Sequence, residues 1–478
     1  MSGNPQTTGG TTPEGADRPD DTGDPHALAR WVRGPVHTAD APGEAAGASE
    51  EPRVSPYAAE LAGYQLGLTL RPDVVVGALD AADVRAAVRY AAARSLPVRV
   101  QATGHGTPGP CGGGVLVSTR RMNDVHVDPE ARTARVGAGA RWEQLIEAAT
   151  PHGLAPLNGS APHSGVIGYT LGGGVGLLAR TFGYTADHVR SLDVVTADGE
   201  SRHVTAADEP DLFWALRGGR DGLGVVTGME IDLVPVARIY GGSLMFDAGR
   251  AKEVLTVYRD WTAGLTERLT SSVMAIVLPD VPALPEPLRG RHVLGVRIAF
   301  TGSAAEGERL VAPLRELGPL TDQLADMPYE RSPAIHSDPT EPHAYTGSNV
   351  LLRELDVPSV LEYVERGGPA AEFFTVVQLQ HLGGALARPP RGGNAVGHRD
   401  AAYALSVLSV AEEEREGEAR AFHRELEGPL ARWTVGRFVN FQFGVTEESE
   451  RRDRHEPAIR RRLADVRAAY DPDGRFPS

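Results

Sequence analysis

A single cysteine, Cys111, and a single lysine, Lys252, stand in a chain of 478 residues. One thiol excludes an intramolecular disulfide framework, and Cys111 reads as an ordinary loop thiol. The near absence of lysine, against 48 basic residues in all, is the mark of high-GC codon usage and points to a bacterial source. Apolar runs are short: none approaches the ~20 residues needed to span a bilayer. The first ten residues lack the basic and apolar regions of a secretory leader. Positive charge is in deficit, and a formal net charge of -15 argues against nucleic acid or an anionic membrane as partner. No serine sits in a G-x-S-x-G elbow. His336, Asp338, Glu341 and His343 crowd one proline-rich loop, but their spacing matches no zinc or calcium motif, so no metal is expected. What survives is a cytoplasmic enzyme acting on a small molecule, as a monomer or homodimer.

What is present is a soluble globular composition, 41% hydrophobic and 23% charged, long enough for two or three domains. Residues 1–55 are rich in Gly, Pro, Thr, Ala and Asp without periodicity, which predicts a disordered tail with at most weak docking around Leu28–Val32. Val84, Ala87, Val88 and Ala91 at helical spacing predict a helix over 80–96, capped by Asp80. Trp142, Leu145, Ile146 and Ala149 mark another helix over 141–151. Strands are expected at 191–196 and 224–236, with a helix at 211–217 between them. Residues 56–238 thus read as an α+β domain of two small sheets. Beyond Tyr240, the alternation Leu294, Val296, Ile298, Phe300 and the strands 373–382 and 403–410 predict a mainly antiparallel sheet. The helical stripe at 310–317 and the charged helix at 412–430 would cover one side of it. Residues 239–430 form that second domain, and 431–478 lie beyond it.

Two loops carry the chemistry. Val98–Gly106 is a strand running through Gln101, Ala102 and Thr103 into Gly104-His105-Gly106, and Asn158–Gly174 is dense in glycine. Backbone-rich loops of this kind bring N–H groups close to the phosphates of a long diphosphate cofactor. The run Gly174-Val175-Gly176-Leu177-Leu178-Ala179 matches a dinucleotide fingerprint, but no apolar strand leads into it, so a Rossmann unit is not expected.

In order and spacing these loops resemble the berberine bridge enzyme-like family of FAD-linked oxidases, within the vanillyl-alcohol-oxidase-type flavoproteins. Further matches are Leu171-Gly172-Gly173-Gly174, Asp193–Gly199, Asp211–Gly219, Gly224-Val225-Val226-Thr227, Gly383-Gly384-Ala385 before His398-Arg399, and Asn440-Phe441 with Tyr470-Asp471-Pro472. The resemblance implies a two-subdomain PCMH-type FAD-binding domain, a substrate domain, and a C-terminal segment returning to the first. It implies FAD joined covalently to His105 and cradled by Gln101, Ala102, Thr103, Gly104, Gly106, Ser160, Gly165, Gly168, Tyr169, Gly172, Gly173, Gly174, Gly224, Val226 and Asn440. It also implies hydride transfer to the flavin from a substrate C–H bond next to nitrogen or oxygen, with O2 as acceptor.

The chain departs from the family in three places. Ala161 stands where many members carry a second, cysteinyl flavin link, leaving His105 as the only anchor. Asp221-Gly222-Leu223 replaces the usual Gly-Asn-Phe. Phe441 replaces the tyrosine that serves as base in sugar oxidases. Tyr169, Tyr345 and His381 are the candidate substitutes, in that order, with Gln378, Gln380, His336 and Phe441 expected at the substrate; His163 reads as a simple loop residue. The missing base tilts the expectation towards amines and aromatic secondary metabolites rather than sugars. A drug-sequestering flavoprotein scaffold and a redox-neutral cyclase of a natural-product pathway are the rival readings.

Overall fold

A computed structural model describes residues 25–39, 54–106 and 111–477. Residues 1–24 and 40–53 of the expected tail, the loop 107–110 and the Cys111 side chain lie outside them. Strands Val74–Gly77, Val115–Ser118 and Val98–Gln101 pair in parallel. The helix Ala81–Ala93 lies against them and buries Val84, Ala87, Val88 and Ala91 completely. Asp80 caps that helix, accepting from the N–H groups of Ala82 and Asp83 at 2.9 and 3.1 Å. An antiparallel five-stranded sheet comes next, with the long strand Val225–Asp232 at its centre. Trp142, Leu145, Ile146 and Ala149 of the helix Trp142–Ala149 join the same core.

The disordered-tail expectation fails for residues 25–39. Leu28 and Val32 are buried in this first core, and Val36–Thr38 adds an antiparallel strand to Val74–Val76. The N–H groups of Arg33 and Gly34 donate to the Asp83 carboxylate at 2.7 and 3.1 Å. Two apolar side chains suffice here because the strand they flank completes an existing sheet edge, so its hydrogen bonds offset much of the ordering entropy.

The third sheet has nine strands and is antiparallel throughout. Helices Ala251–Ala263, Ala304–Arg315, Val357–Arg366 and Glu416–Glu427 bury their apolar stripes against one of its faces. The other face looks towards the first two sheets. Residues past 430 come back to the beginning of the chain: Leu463 and Val466 of the helix Pro457–Tyr470 and then Phe476 enter the first core, and the Val98 N–H donates to the Arg475 carbonyl at 2.8 Å. The Gly174–Ala179 run comes after a short helix, Val166–Leu171, rather than a strand.

Candidate functional site

Between the open face of the nine-stranded sheet and the loops of the first two sheets lies a cavity of about 800 Å³. Its two walls are built differently.

The first wall is largely backbone. The strand Val98–Gln101 delivers Ala102–Gly106 into the cavity. Gly104 sits at φ +74, where a Cβ would come within 2.6 Å of the Gly63 Cα, so only glycine fits that turn. The adjoining His105 ring is stacked on Tyr64, centroids 3.9 Å apart and planes within 5°. His163 lies 4.7 Å away, tilted, and His343 and Tyr345 complete the ring cluster. One His105 nitrogen, Nδ1, is 3.0 Å from Thr103 Oγ1; the other, Nε2, is buried with no partner among the described residues. Burial, and then the neighbouring His163, Arg141 and His343, push the His105 pKa down to about 3. The imidazole is therefore neutral at ordinary pH, with a lone pair available for bonding. The loop is held from outside by Arg220, whose guanidinium donates to the Gly106 and Val439 carbonyls at 2.6 and 3.2 Å.

The expected cradle divides in two. Gln101, Ala102, Thr103, Gly104, His105, Gly106, Ser160, Gly165, Gly168, Tyr169, Gly224, Val226 and Asn440 all line the cavity. Gly172, Gly173 and Gly174 are not among the residues that line it. Their backbone is consumed by the protein: the Gly174 N–H donates to Asn440 Oδ1 at 3.2 Å and the Gly173 N–H to the Thr170 carbonyl at 2.9 Å. At Gly174 (φ +77) a Cβ would strike the Tyr169 ring and the Thr185 hydroxyl at 2.6 and 2.7 Å. These are glycines of close packing. Asn440 clamps the loop a second time by donating to the Tyr169 carbonyl at 2.8 Å.

The second wall is made of side chains. Along the strand Thr375–His381, burial alternates residue by residue, and Gln378 and Gln380 fall on the cavity face, as period two requires. The register sets Gln380 opposite Ser272, and Ser272 opposite Arg297. One step along, Gln378, Met274 and Gly295 form the next row. His336 closes the Arg297 end, its Nδ1 3.1 Å from an Arg297 nitrogen and its carbonyl accepting from another at 3.1 Å. Phe441, Phe443, Phe374, Leu284 and Leu288 supply apolar surface.

All three base candidates border the cavity, and each is constrained. His381, at the end of its strand, is buried like Val377 and Leu379, its Nε2 2.9 Å from Arg180 and its ring stacked on Tyr403. Burial and the Arg180 charge push its pKa down to about 3. The Tyr169 hydroxyl is buried beside Thr185, and burial raises its pKa. The Tyr345 hydroxyl donates to the His105 carbonyl at 2.7 Å, and burial raises its pKa too. Four participants escaped the sequence reading: Tyr64, His163, Arg220 and Arg297. Arg297 had a signal, since it lies between Val296 and Ile298 on a strand whose alternation puts it on the face opposite theirs.

Residues 72–205 match the model of an FAD binding domain. The chain is 28% identical over 432 residues to (R)-6-hydroxynicotine oxidase of Paenarthrobacter nicotinovorans, covering 85% of this chain and 90% of that protein. It is an FAD-linked oxidoreductase with the fold of the berberine bridge enzyme-like oxidases. Among solved structures, this oxidoreductase superposes on 6-hydroxy-D-nicotine oxidase from Arthrobacter nicotinovorans with a TM-score of 0.79 at 24% identity, over 93% of this chain and 96% of the other. Glucooligosaccharide oxidase from Acremonium strictum, which carries 6-S-cysteinyl, 8α-N1-histidyl FAD, gives 0.74 at 20% identity over 87% and 92%. The residues present fit FAD. The backbone-lined loop, the open space facing Gly168 and the unpartnered nitrogen of a neutral His105 are what such a cofactor needs. Ala161 lines the cavity near His163 and offers no sulfur for a second link.

Proposed function

We infer that this oxidoreductase is an oxidase of small secondary metabolites, that it removes hydride from a carbon bonded to nitrogen, and that O2 is the final electron acceptor. FAD, when bound, supplies the electron sink at its N5. His105 would anchor it as the sole covalent link. Gln378 and Gln380 orient the substrate by hydrogen bonds, while Phe441, Phe443 and Phe374 exclude water around the reacting carbon.

The preference for nitrogen rests on one observation: Phe441 has no atom that accepts a proton, while the Tyr345 hydroxyl is held by the His105 carbonyl and His381 Nε2 by Arg180. An alcohol needs a base within hydrogen-bond reach as its hydride leaves. A neutral amine does not, because its lone pair stabilises the developing cation. The 6-hydroxynicotine oxidase relative acts, by its name, on an amine, and that is consistent with this reading.

The test is anaerobic mixing of the purified yellow protein with a panel of cyclic amines and matched alcohols. Bleaching by amines, with colour returning in air, supports the proposal. Bleaching by alcohols alone, or a colourless protein, overturns it.

A further inference from the structure

Arg297 is a buried guanidinium on a cavity wall with no carboxylate in ion-pair contact among the described residues. It is 8% exposed, lies on the strand His292–Phe300 and faces the cavity. Its two assigned hydrogen bonds go to His336, one to a ring nitrogen and one to the carbonyl, both neutral acceptors. Its Nε is buried without a partner. The one carboxylate near enough to influence it through space is Asp338, which also lines the cavity. A charge taken out of water in this way is unfavourable unless an anion accompanies it. Some other interior arginines are paired with carboxylates. Arg399 pairs with Asp187, Arg420 with Glu450 and Arg437 with Glu427. Arg180 and Arg217 place Nε on the Leu269 and Phe213 carbonyls, at 2.9 and 3.1 Å.

The surroundings of Arg297 extend this into a site. In the sheet register Ser272 sits beside it and Gln380 beside Ser272, two strand spacings or about 10 Å from Arg297. The Gln380 Oε1 is also buried and unpartnered. Along the same face, the next row supplies Met245 and Met274, with Ile276 beyond. An apolar floor thus leads to a polar row that ends in a fixed positive charge.

We propose that Arg297, with Ser272 beside it, is the subsite that binds the anionic group of the substrate, and that the substrate is an organic carboxylate with an apolar body. The guanidinium fork matches a carboxylate in two parallel N–H···O bonds, which a hydroxyl or a carbonyl cannot accept. Gln380, at the other end of the row, holds the part of the molecule nearer the reacting carbon. The assignment rests on the oxidase reading for the fate of the bound molecule, but not for binding itself.

The experiment uses the full-length protein as purified, with its flavin. Benzoate, its neutral isostere benzamide, and phenol are titrated against wild type, Arg297→Gln and Arg297→Lys, followed both by flavin absorbance and by calorimetry. Benzoate should bind wild type about 10- to 100-fold more tightly than benzamide. Arg297→Gln should abolish that preference while leaving benzamide affinity and flavin content unchanged. Arg297→Lys should keep the preference in weakened form, because the charge remains but the fork is lost. Equal benzoate and benzamide affinity in wild type overturns the proposal, and needs no variant to fold. Tighter binding of phenol than of benzoate at pH 10 assigns the site to phenolates instead and overturns the carboxylate assignment. A protein that carries no flavin yet binds benzoate through Arg297 defeats the oxidase reading and leaves this one standing.

Discussion

The two walls of the cavity present the same ligand space by opposite means. One is built on main-chain loops with the His105, Tyr64 and His163 rings set into it, and its shape depends on a turn at Gly104 that admits only glycine. The other is a regular sheet, and its chemistry is written in which side chain occupies each alternate position. A backbone wall tolerates no added atoms at its tightest turns but is indifferent to the identity of most neighbours. A side-chain wall tolerates almost any substitution structurally and changes specificity with each one. Stability and cofactor retention should therefore be concentrated in the first wall, and substrate choice in the second.

The largest effect expected from breaking that division is at His105. His105→Ala should remove the covalent adduct altogether, so that acid-precipitated protein is colourless and its intact mass falls by one FAD. A retained adduct would move the anchor elsewhere. Deleting residues 1–55 should come next. It strips Leu28 and Val32 from the core beneath the backbone wall, about 3–6 kcal/mol at ~1.5–3 kcal/mol per buried aliphatic side chain. A denaturant midpoint unmoved by the deletion would show that this segment adds nothing. A pair of glycine variants sharpens the contrast within one wall. Gly174→Ala meets Tyr169 and Thr185 and should lose about 1–3 kcal/mol of stability. Gly168→Ala has nothing within 4 Å of its new methyl group and should leave the melting temperature alone while weakening flavin retention.

On the side-chain wall, Gln378→Leu and Gln380→Leu should raise KM by about tenfold with melting temperature and flavin content unchanged, read by steady-state kinetics and thermal melts. Parallel losses of affinity, melting temperature and flavin would mean that the sheet face is structural after all. A further effect is general to the fold. His381 and His423 are buried with pKa values near 3, and His455 near 4, because burial disfavours their charged forms. Below about pH 6.5 the unfolded chain takes up protons that the native state refuses, so stability is full above that pH and declines as pH falls towards 4. A thermal midpoint constant from pH 7 to pH 4 would contradict those assignments.

The same division decides what could be read from sequence. The helix begun by Asp80, the Trp142 stripe and the Gln378/Gln380 alternation were legible because periodicity states directly which side chains share a face. The glycine loop was legible as a motif but not as a contact list. Glycine records that something comes close, and at Gly172–Gly174 a Cβ would meet Asn440, Phe438, Tyr169 and Thr185. The piece around Leu28 and Val32 registered only as a weak docking segment, because the sheet edge that the following strand completes is formed by residues 36 positions and more away. The polar row of Ser272, Gln380 and Arg297 joins three strands over more than a hundred residues, and only the register brings it together.

The Val98–Arg475 hydrogen bond and the burial of Phe476 have a temporal meaning. A chain emerging from the ribosome at about 5–20 residues per second exposes its first sheets long before the residues that complete their core. The whole nine-stranded sheet is made in the interval. Any cofactor loading that needs this core would wait for the closing segment: a product stalled before Arg475 holds the histidine and the glycine loops but not that segment, and it should not retain FAD.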